Sequence, residues 1–335
     1  MELFYKRVSL IKRSNVFYKI EVYIRISSIK LVGKIKTLEQ LVFLLRVFLE
    51  VTVKHNYFLF VLSLIKRSLL FSGLVFFLSI VNTVYASTAH KDILQAANKE
   101  KMGEYVRQRF LKKLKKPFNS NDKRKKIIIM GDSHAQDFYN AMIENNLNQS
   151  YQISTRRIPA ICGLYLGLEN INHLIEKKHL PNCQKSDTLS AAMPQIKQAD
   201  VVIIAANWKL WSAQRLSTTI SNLKIKAPQK LFIIGRKDFG KQNLRKYLRL
   251  SDIELKQLRN PVYETQRKIN KVMREKVPSE MFVNIQDLIC KSEKECSAFT
   301  PQARLISFDG GHLTQQGARY IGKILLQNPP LNQLQ

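Results

Sequence analysis

The sequence predicts an α/β fold: a five-stranded parallel sheet covered by helices on both faces. Two observations carry this expectation. Short, continuous runs of β-branched and other apolar residues recur from residue 126 onward, as expected of strands buried on both faces. Helical patterns separate these runs, which is the alternation of a parallel sheet.

The elements follow in order. Lys126 to Met130 is the first strand, and a helix runs from about His134 to Asn145. Tyr151 to Ile158 is the second strand. The stretch from Gly163 to Leu189 reads as irregular and loop-like. Val201 to Ala206 is the third strand and Lys230 to Gly235 the fourth. Tyr263 to Val277 is helical, Met281 to Ile285 is the fifth strand, and Gln315 to Leu326 is the closing helix. There is no internal repeat and no low-complexity tract.

Four regions divide the chain. Residues 1–67 are basic and partly apolar. Residues 68–86 contain a charge-free apolar stretch, Leu69 to Ala86, preceded by Lys66 and Arg67. Its length is close to the roughly twenty residues that span a bilayer, and the basic flank predicts a cytoplasmic N-side and an exported C-side. Val84-Tyr85-Ala86 also resembles a signal-peptidase site, so the segment reads as a transmembrane anchor or a cleaved signal. Residues 87–125 form a basic linker, in which the amphipathic stretch from Arg107 to Lys116 fits either an anionic lipid surface or a solvated face. Residues 126–330 are the folded domain.

The 335 residues carry a formal net charge of +30, which suggests a polyanionic neighbour. The basic runs are not interleaved with base-stacking aromatics and an apolar export segment lies upstream, which argues against nucleic acid. The four cysteines, Cys162, Cys183, Cys290 and Cys296, form no Cys-x-x-Cys pair, and no histidine cluster completes a metal set. Disulfides could close the loops between Cys162 and Cys183 and between Cys290 and Cys296, as in an oxidising compartment. The alternative is four buried thiols.

Two motifs carry chemistry. Gly131-Asp132-Ser133-His134 follows the first strand, and Asp309-Gly310-Gly311-His312-Leu313-Thr314 precedes the last helix. Ser133 stands where a helix begins, so its own backbone N–H is ready to stabilise an oxyanion. Asp309 and His312 are spaced for the carboxylate to orient the imidazole, leaving the other ring nitrogen to take a serine proton. Without that chemistry, the first motif is a helix cap and the second a turn. Thr314 is placed to cap the final helix.

Gly131 to His134 together with Asp309 to Leu313 resembles the SGNH, or GDSL-like, hydrolase superfamily. The resemblance is nearest to the periplasmic SGNH domain of acyltransferase-3 proteins, which O-acetylate cell-surface glycans. Cys162-Gly163, Ala206-Asn207-Trp208, the late pair Cys290 and Cys296, and Asp309 to Ala318 occupy the corresponding positions, over roughly residues 125 to 328. The resemblance implies a flavodoxin-like three-layer α/β/α fold and assigns Ser133 as nucleophile, His312 as base and Asp309 as orienting acid. It makes Gly163 and Asn207 the nearest oxyanion donors, although the usual Gly-x-Asn-Asp is absent. It implies no cofactor and no metal.

The function so implied is an exported serine esterase or O-acyltransferase acting on acylated envelope glycans. The chain would be anchored in the inner membrane facing the periplasm, or secreted to the periplasm. Its partners would be the glycan, inner-membrane lipid and a separate membrane acyl-transfer protein, because this chain lacks the membrane-helix bundle that precedes such domains. The alternative is a catalytically weak module that binds anionic envelope polysaccharide. Trp208 and Trp211 fit core packing better than sugar stacking.

Overall fold

Among the described residues, seven strands form two sheets: β1 (Lys125–Gly131), β2 (Tyr151–Arg157), β3 (Val201–Ala205), β4 (Lys230–Ile234), β5 (Arg259–Pro261), β6 (Phe282–Val283) and β7 (Glu295–Ser297). Five of them make a sheet in the order β2-β1-β3-β4-β6, and every neighbour in it is parallel. This is the expected sheet, and all five strands stand where the sequence placed them. The structure, a computed structural model, describes Glu39, Val42, Phe43 and residues 88–334. The apolar segment 68–86, with its cleavage position after Ala86, lies outside the described residues. Among the described residues no helix is long and apolar enough to cross a membrane.

The continuous apolar strands split by parity. Ile127, Ile129, Val201, Ile203, Phe232 and Ile234 face one core. Ile128, Met130, Val202, Ile204, Leu231 and Ile233 face the other. Successive side chains point to opposite faces of a strand, so a strand buried on both faces must be apolar at every position. The principal helices are α1 (Lys99–Leu111), α2 (Ser133–Ile143), α3 (Leu189–Ile196), α4 (Leu216–Leu223), α5 (Glu264–Lys276), α6 (Ile285–Cys290) and α7 (Gln315–Gln327). Helices α1, α2, α6 and α7 contribute to the first core; α3, α4 and α5 contribute to the second.

Residues 88–111, read from sequence as part of a basic linker, are helical and packed onto the domain. Ala89, Ile93 and Ala96 are buried against Tyr247, Leu255 and Phe299, and Arg304 pairs with Asp92. On α1, Val106 and Phe110 are buried, and the Asn140 side-chain amide on α2 donates to the carbonyls of Tyr105 and Val106, both at 3.0 Å. Val106 and Phe110 of α1 are thus turned inward, while Leu111 stays exposed. Glu144, at the end of α2, accepts from Arg109 of α1 and Arg319 of α7.

Two features escaped the sequence. Part of the stretch expected to be irregular consists of short turns and the start of α3, whose cap Thr188 accepts from the Ala191 N–H. The β5–β7 ribbon is antiparallel, too short to show a pattern. Both cysteine pairs are disulfides: Cys162 with Cys183, and Cys290 with Cys296. The first closes a loop of the size that a cross-link stabilises by roughly 3 kcal/mol.

The sheet changes winding direction at β1, with β2 on one side and β3 on the other. In such sheets the crevice at the strands' carboxyl ends is where ligands bind. Gly131 makes the close approach there feasible. It pairs with Ala205 across β1 and β3, it has φ +138°, and a Cβ on it would stand 1.9 Å from the Ala205 carbonyl oxygen. Gly131→Ala is expected to destabilise the protein by about 2 kcal/mol or more, from overpacking and a strained φ. The shift in urea unfolding midpoint measures it.

Candidate active site

Ser133 is the first residue of α2, and Asp132 caps that helix by accepting from the His134 N–H at 2.9 Å. The same carboxylate accepts the Asn207 N–H with both oxygens at 3.1 Å. One capping residue thus ties the end of β1 to the end of β3. Burial pushes the Asp132 carboxyl up, against the pull of those two N–H groups. The Ser133 N–H, at the first helical position, has no intrahelical acceptor.

The second motif folds back on itself. The Gly311 and His312 N–H groups donate to Asp309 Oδ1 at 2.9 and 2.7 Å. Ser307 Oγ donates to the His312 carbonyl at 2.6 Å and accepts from the Gly310 N–H at 2.9 Å. Thr314 caps α7 as expected, accepting from the Gly317 N–H. The His312 ring stacks on Phe308 at 5.8 Å. Its Nδ1 lies 2.7 Å from Asp309 Oδ2, and its Nε2 lies 2.8 Å from Ser133 Oγ. The three expected residues meet in one hydrogen-bonded line although 179 positions separate Ser133 from His312.

Burial opposes a charge on His312, but the Asp309 hydrogen bond and the field of Asp137 outweigh it, so its pKa is raised. Burial also works against the Asp309 carboxylate, yet the imidazole and backbone N–H groups hold its pKa below the usual range. Each group favours the charged form of the other.

Sequence reasoning missed Asp137 and Lys237. Asp137 is four residues after Ser133, on the same face of α2, and Lys237 follows β4. Lys237 Nζ lies 2.7 Å from Asp137 Oδ2, with side chains 2% and 0% exposed. Lys237 also donates to the Gly311 carbonyl, and the Leu313 N–H donates to Asp137 Oδ1 at 3.2 Å. The pair therefore grips the His312 loop on both sides and fixes it to the serine's helix.

The profile of the family described as SGNH domain (fused to AT3 domains) matches residues 102–327. The chain belongs to the SGNH domain family. Comparison with curated proteins gives no match. Among solved structures, the chain is similar to the periplasmic domain of the lipopolysaccharide acetyltransferase of Salmonella ser. Paratyphi A. The identity is 18% and the TM-score 0.45, covering 69% of this chain and 95% of that one. Membership accords with an acyl-related role as hydrolase or transferase.

In this SGNH domain the remaining expected residues separate. The Gly163 N–H is engaged with the Ala160 carbonyl at 3.2 Å, closing the 3-10 turn Ala160–Cys162. Gly163 lies under Trp211, whose ring would stand 2.3 Å from an added Cβ. As an oxyanion donor it is therefore already engaged. Asn207 is held beside Ser133 through Asp132, and its carboxamide oxygen is buried without a partner. Trp208 is fully buried and donates its indole N–H to the Ile234 carbonyl at 2.8 Å, which is core packing. His134 is buried edge-on to His312, and burial with the nearby cations holds it neutral. Among the described residues no cluster of His, Cys, Asp and Glu is arranged to hold a metal.

A cleft of about 250 Å³ opens beside Ser133, with Asp132, Gln136 and Pro159 in its lining. Two exposed arginines, Arg107 and Arg157, also line it.

Removing one partner of a buried ion pair costs about 3–5 kcal/mol, so Lys237→Met and Asp137→Asn are both expected to lower the unfolding midpoint sharply. They should differ at His312. Asp137 raises its pKa and Lys237 lowers it, so Asp137→Asn moves the His312 titration to lower pH and Lys237→Met to higher pH. NMR of the imidazole resonances reads both shifts.

Proposed function

We propose that the chain is an exported SGNH-type serine esterase or O-acyltransferase that acts on acyl or acetyl groups of cell-envelope glycans. The observation that carries this reading is the unbroken line from Ser133 Oγ through His312 to Asp309. Ser133 Oγ attacks the acyl carbonyl while His312 Nε2 takes its proton, and Asp309 holds the imidazolium. Collapse of the tetrahedral intermediate breaks the ester bond, and His312 returns the proton to the leaving sugar oxygen. Water or a second sugar hydroxyl then attacks the acyl-enzyme, and His312 takes the acceptor's proton and passes it to Ser133 Oγ as the acyl–oxygen bond breaks.

The Ser133 N–H and the Asn207 carboxamide are the groups we assign to the oxyanion. A donor of this kind contributes about 3–4 kcal/mol. The domain faces the periplasm, either anchored by the segment upstream or released from it. A separate membrane protein supplies the acyl group when the reaction is transfer. The engagement of the Gly163 N–H favours a second reading, a weak catalyst that retains acidic polysaccharide.

Ser133→Ala is expected to lower release of p-nitrophenol from p-nitrophenyl acetate roughly a thousand-fold or more, with the circular dichroism spectrum unchanged. It also abolishes fluorophosphonate labelling, which mass spectrometry places on Ser133. Full activity in that variant would sink the mechanism.

The pH dependence has a defined sign. His312 acts as a base only when neutral, and its pKa is raised. The rate should therefore climb with pH through a midpoint above the ordinary imidazole value of about 6.5. A kcat/KM profile with its acid limb centred below that value would contradict the assignment. The stabilising effect of the protonated His312 runs the other way, lost as pH rises through the same midpoint.

A further inference from the structure

We propose that the cleft beside Ser133 contains an anion subsite, in which Arg107 and Arg157 receive the carboxylate or phosphate of an acidic saccharide whose ester faces the serine. The inference rests on the acyl-transfer reading, because the subsite is defined by its place beside the nucleophile.

Both arginines line the same cleft as Ser133. At about 250 Å³ the cleft falls below the roughly 300–1,000 Å³ of drug-sized pockets, the scale of one sugar unit rather than a chain. Leu111 gives it an apolar patch, and Asp132 is its acidic lining residue. The Asp132 carboxylate already accepts the N–H groups of His134 and Asn207. It forms no ion pair with either arginine among the described residues.

Neither arginine has an acidic partner among the described residues, whereas their sequence neighbours do. Arg109 pairs with Glu144 and Arg156 with Asp187, at 2.5 and 2.6 Å. Arg156 and Arg157 project to opposite faces because strand side chains alternate: one is buried in its ion pair, the other is exposed at the cleft. Glu104 lies one turn before Arg107 and lines an adjoining groove with it, yet does not pair with it.

The arginines also stand on fixed elements. Arg157 pairs in register with Gly131 at the carboxyl end of the sheet, and the Ile158 N–H donates to the Gly131 carbonyl at 2.9 Å. Arg107 sits on α1, which Asn140 anchors at the adjacent Val106. Thr155 of β2 donates its hydroxyl to the Phe110 carbonyl at 2.8 Å. Gly103 leaves the room that the Arg107 guanidinium occupies, for a Cβ there would stand 3.2 Å from Arg107 Nη1. Two arginines on docked elements beside Ser133 offer planar donor forks, which suit carboxylate and phosphate oxygens.

The test is calorimetric titration of the full chain with glucuronate, glucose 6-phosphate and glucose. Both acidic sugars are expected to bind at least tenfold more tightly than glucose, with a preference that falls as salt rises. The arm that binds more tightly identifies the anionic group. Arg107→Gln with Arg157→Gln should remove the preference, and Arg157→Glu alone should reduce it at least tenfold. Lys271→Gln, an exposed change on α5 across the sheet, should leave it intact. Equal affinity for acidic and neutral sugars in the unaltered chain, or a preference that survives the double substitution, would overturn the proposal. Fluorophosphonate labelling of Ser133 on the same samples reports the acyl chemistry separately, so failure of that reading and failure of the subsite are distinguishable.

Discussion

The buried pair of Asp137 and Lys237 is the constraint on which the site depends. The serine arrives from the first strand and the imidazole from the last loop, and a segment that remote must be held against the helix by something stronger than a turn. Lys237 bonds both the Asp137 carboxylate and the Gly311 carbonyl, and Asp137 receives the Leu313 N–H. Two charges so completely buried are tolerated only where each is paired and further hydrogen-bonded. That demand fixes the loop in one position, and with it His312.

The same carboxylate acts on the chemistry as well as the geometry. Asp137 and Asp309 both favour the imidazolium, while Lys237 opposes it. The His312 imidazole is thus more basic than a free one. Asp132 performs a parallel service at the other end of the crevice, where one side chain caps α2 and holds Asn207 beside Ser133. Three aspartates therefore have three tasks, set by what each one touches: capping, anchoring and orienting.

Around this centre the fold supplies a wall the sequence did not suggest. The cationic stretch from Arg107 to Lys116 reads as a linker or lipid-facing segment because its charge dominates its composition. Its buried residues, Val106 and Phe110, are few, and their partners lie on α2 and β2, far along the chain. Once docked, this helix brings Arg107 to the cleft at Ser133.

How much was legible follows from how local each signal is. The five strands of the sheet could be read from sequence because burial on both faces demands apolar residues at every position. The Ser133 helix start and the Thr314 cap could be read because capping needs specific side chains at fixed offsets. Ser133, Asp309 and His312 stood out through spacing and resemblance. The Gly163 N–H could not be judged, since its engagement by Ala160 is a property of a turn with no sequence signature. Asp137 and Lys237 look like ordinary surface charges until the sheet brings positions one hundred residues apart within bonding distance. The sequence alone determined the strands, the caps and the two short motifs that hold Ser133, Asp309 and His312, because these depend on near neighbours. Only the tertiary structure decided which buried charges lock the loop and which arginines stay unpaired at the cleft, because each depends on packing between remote segments.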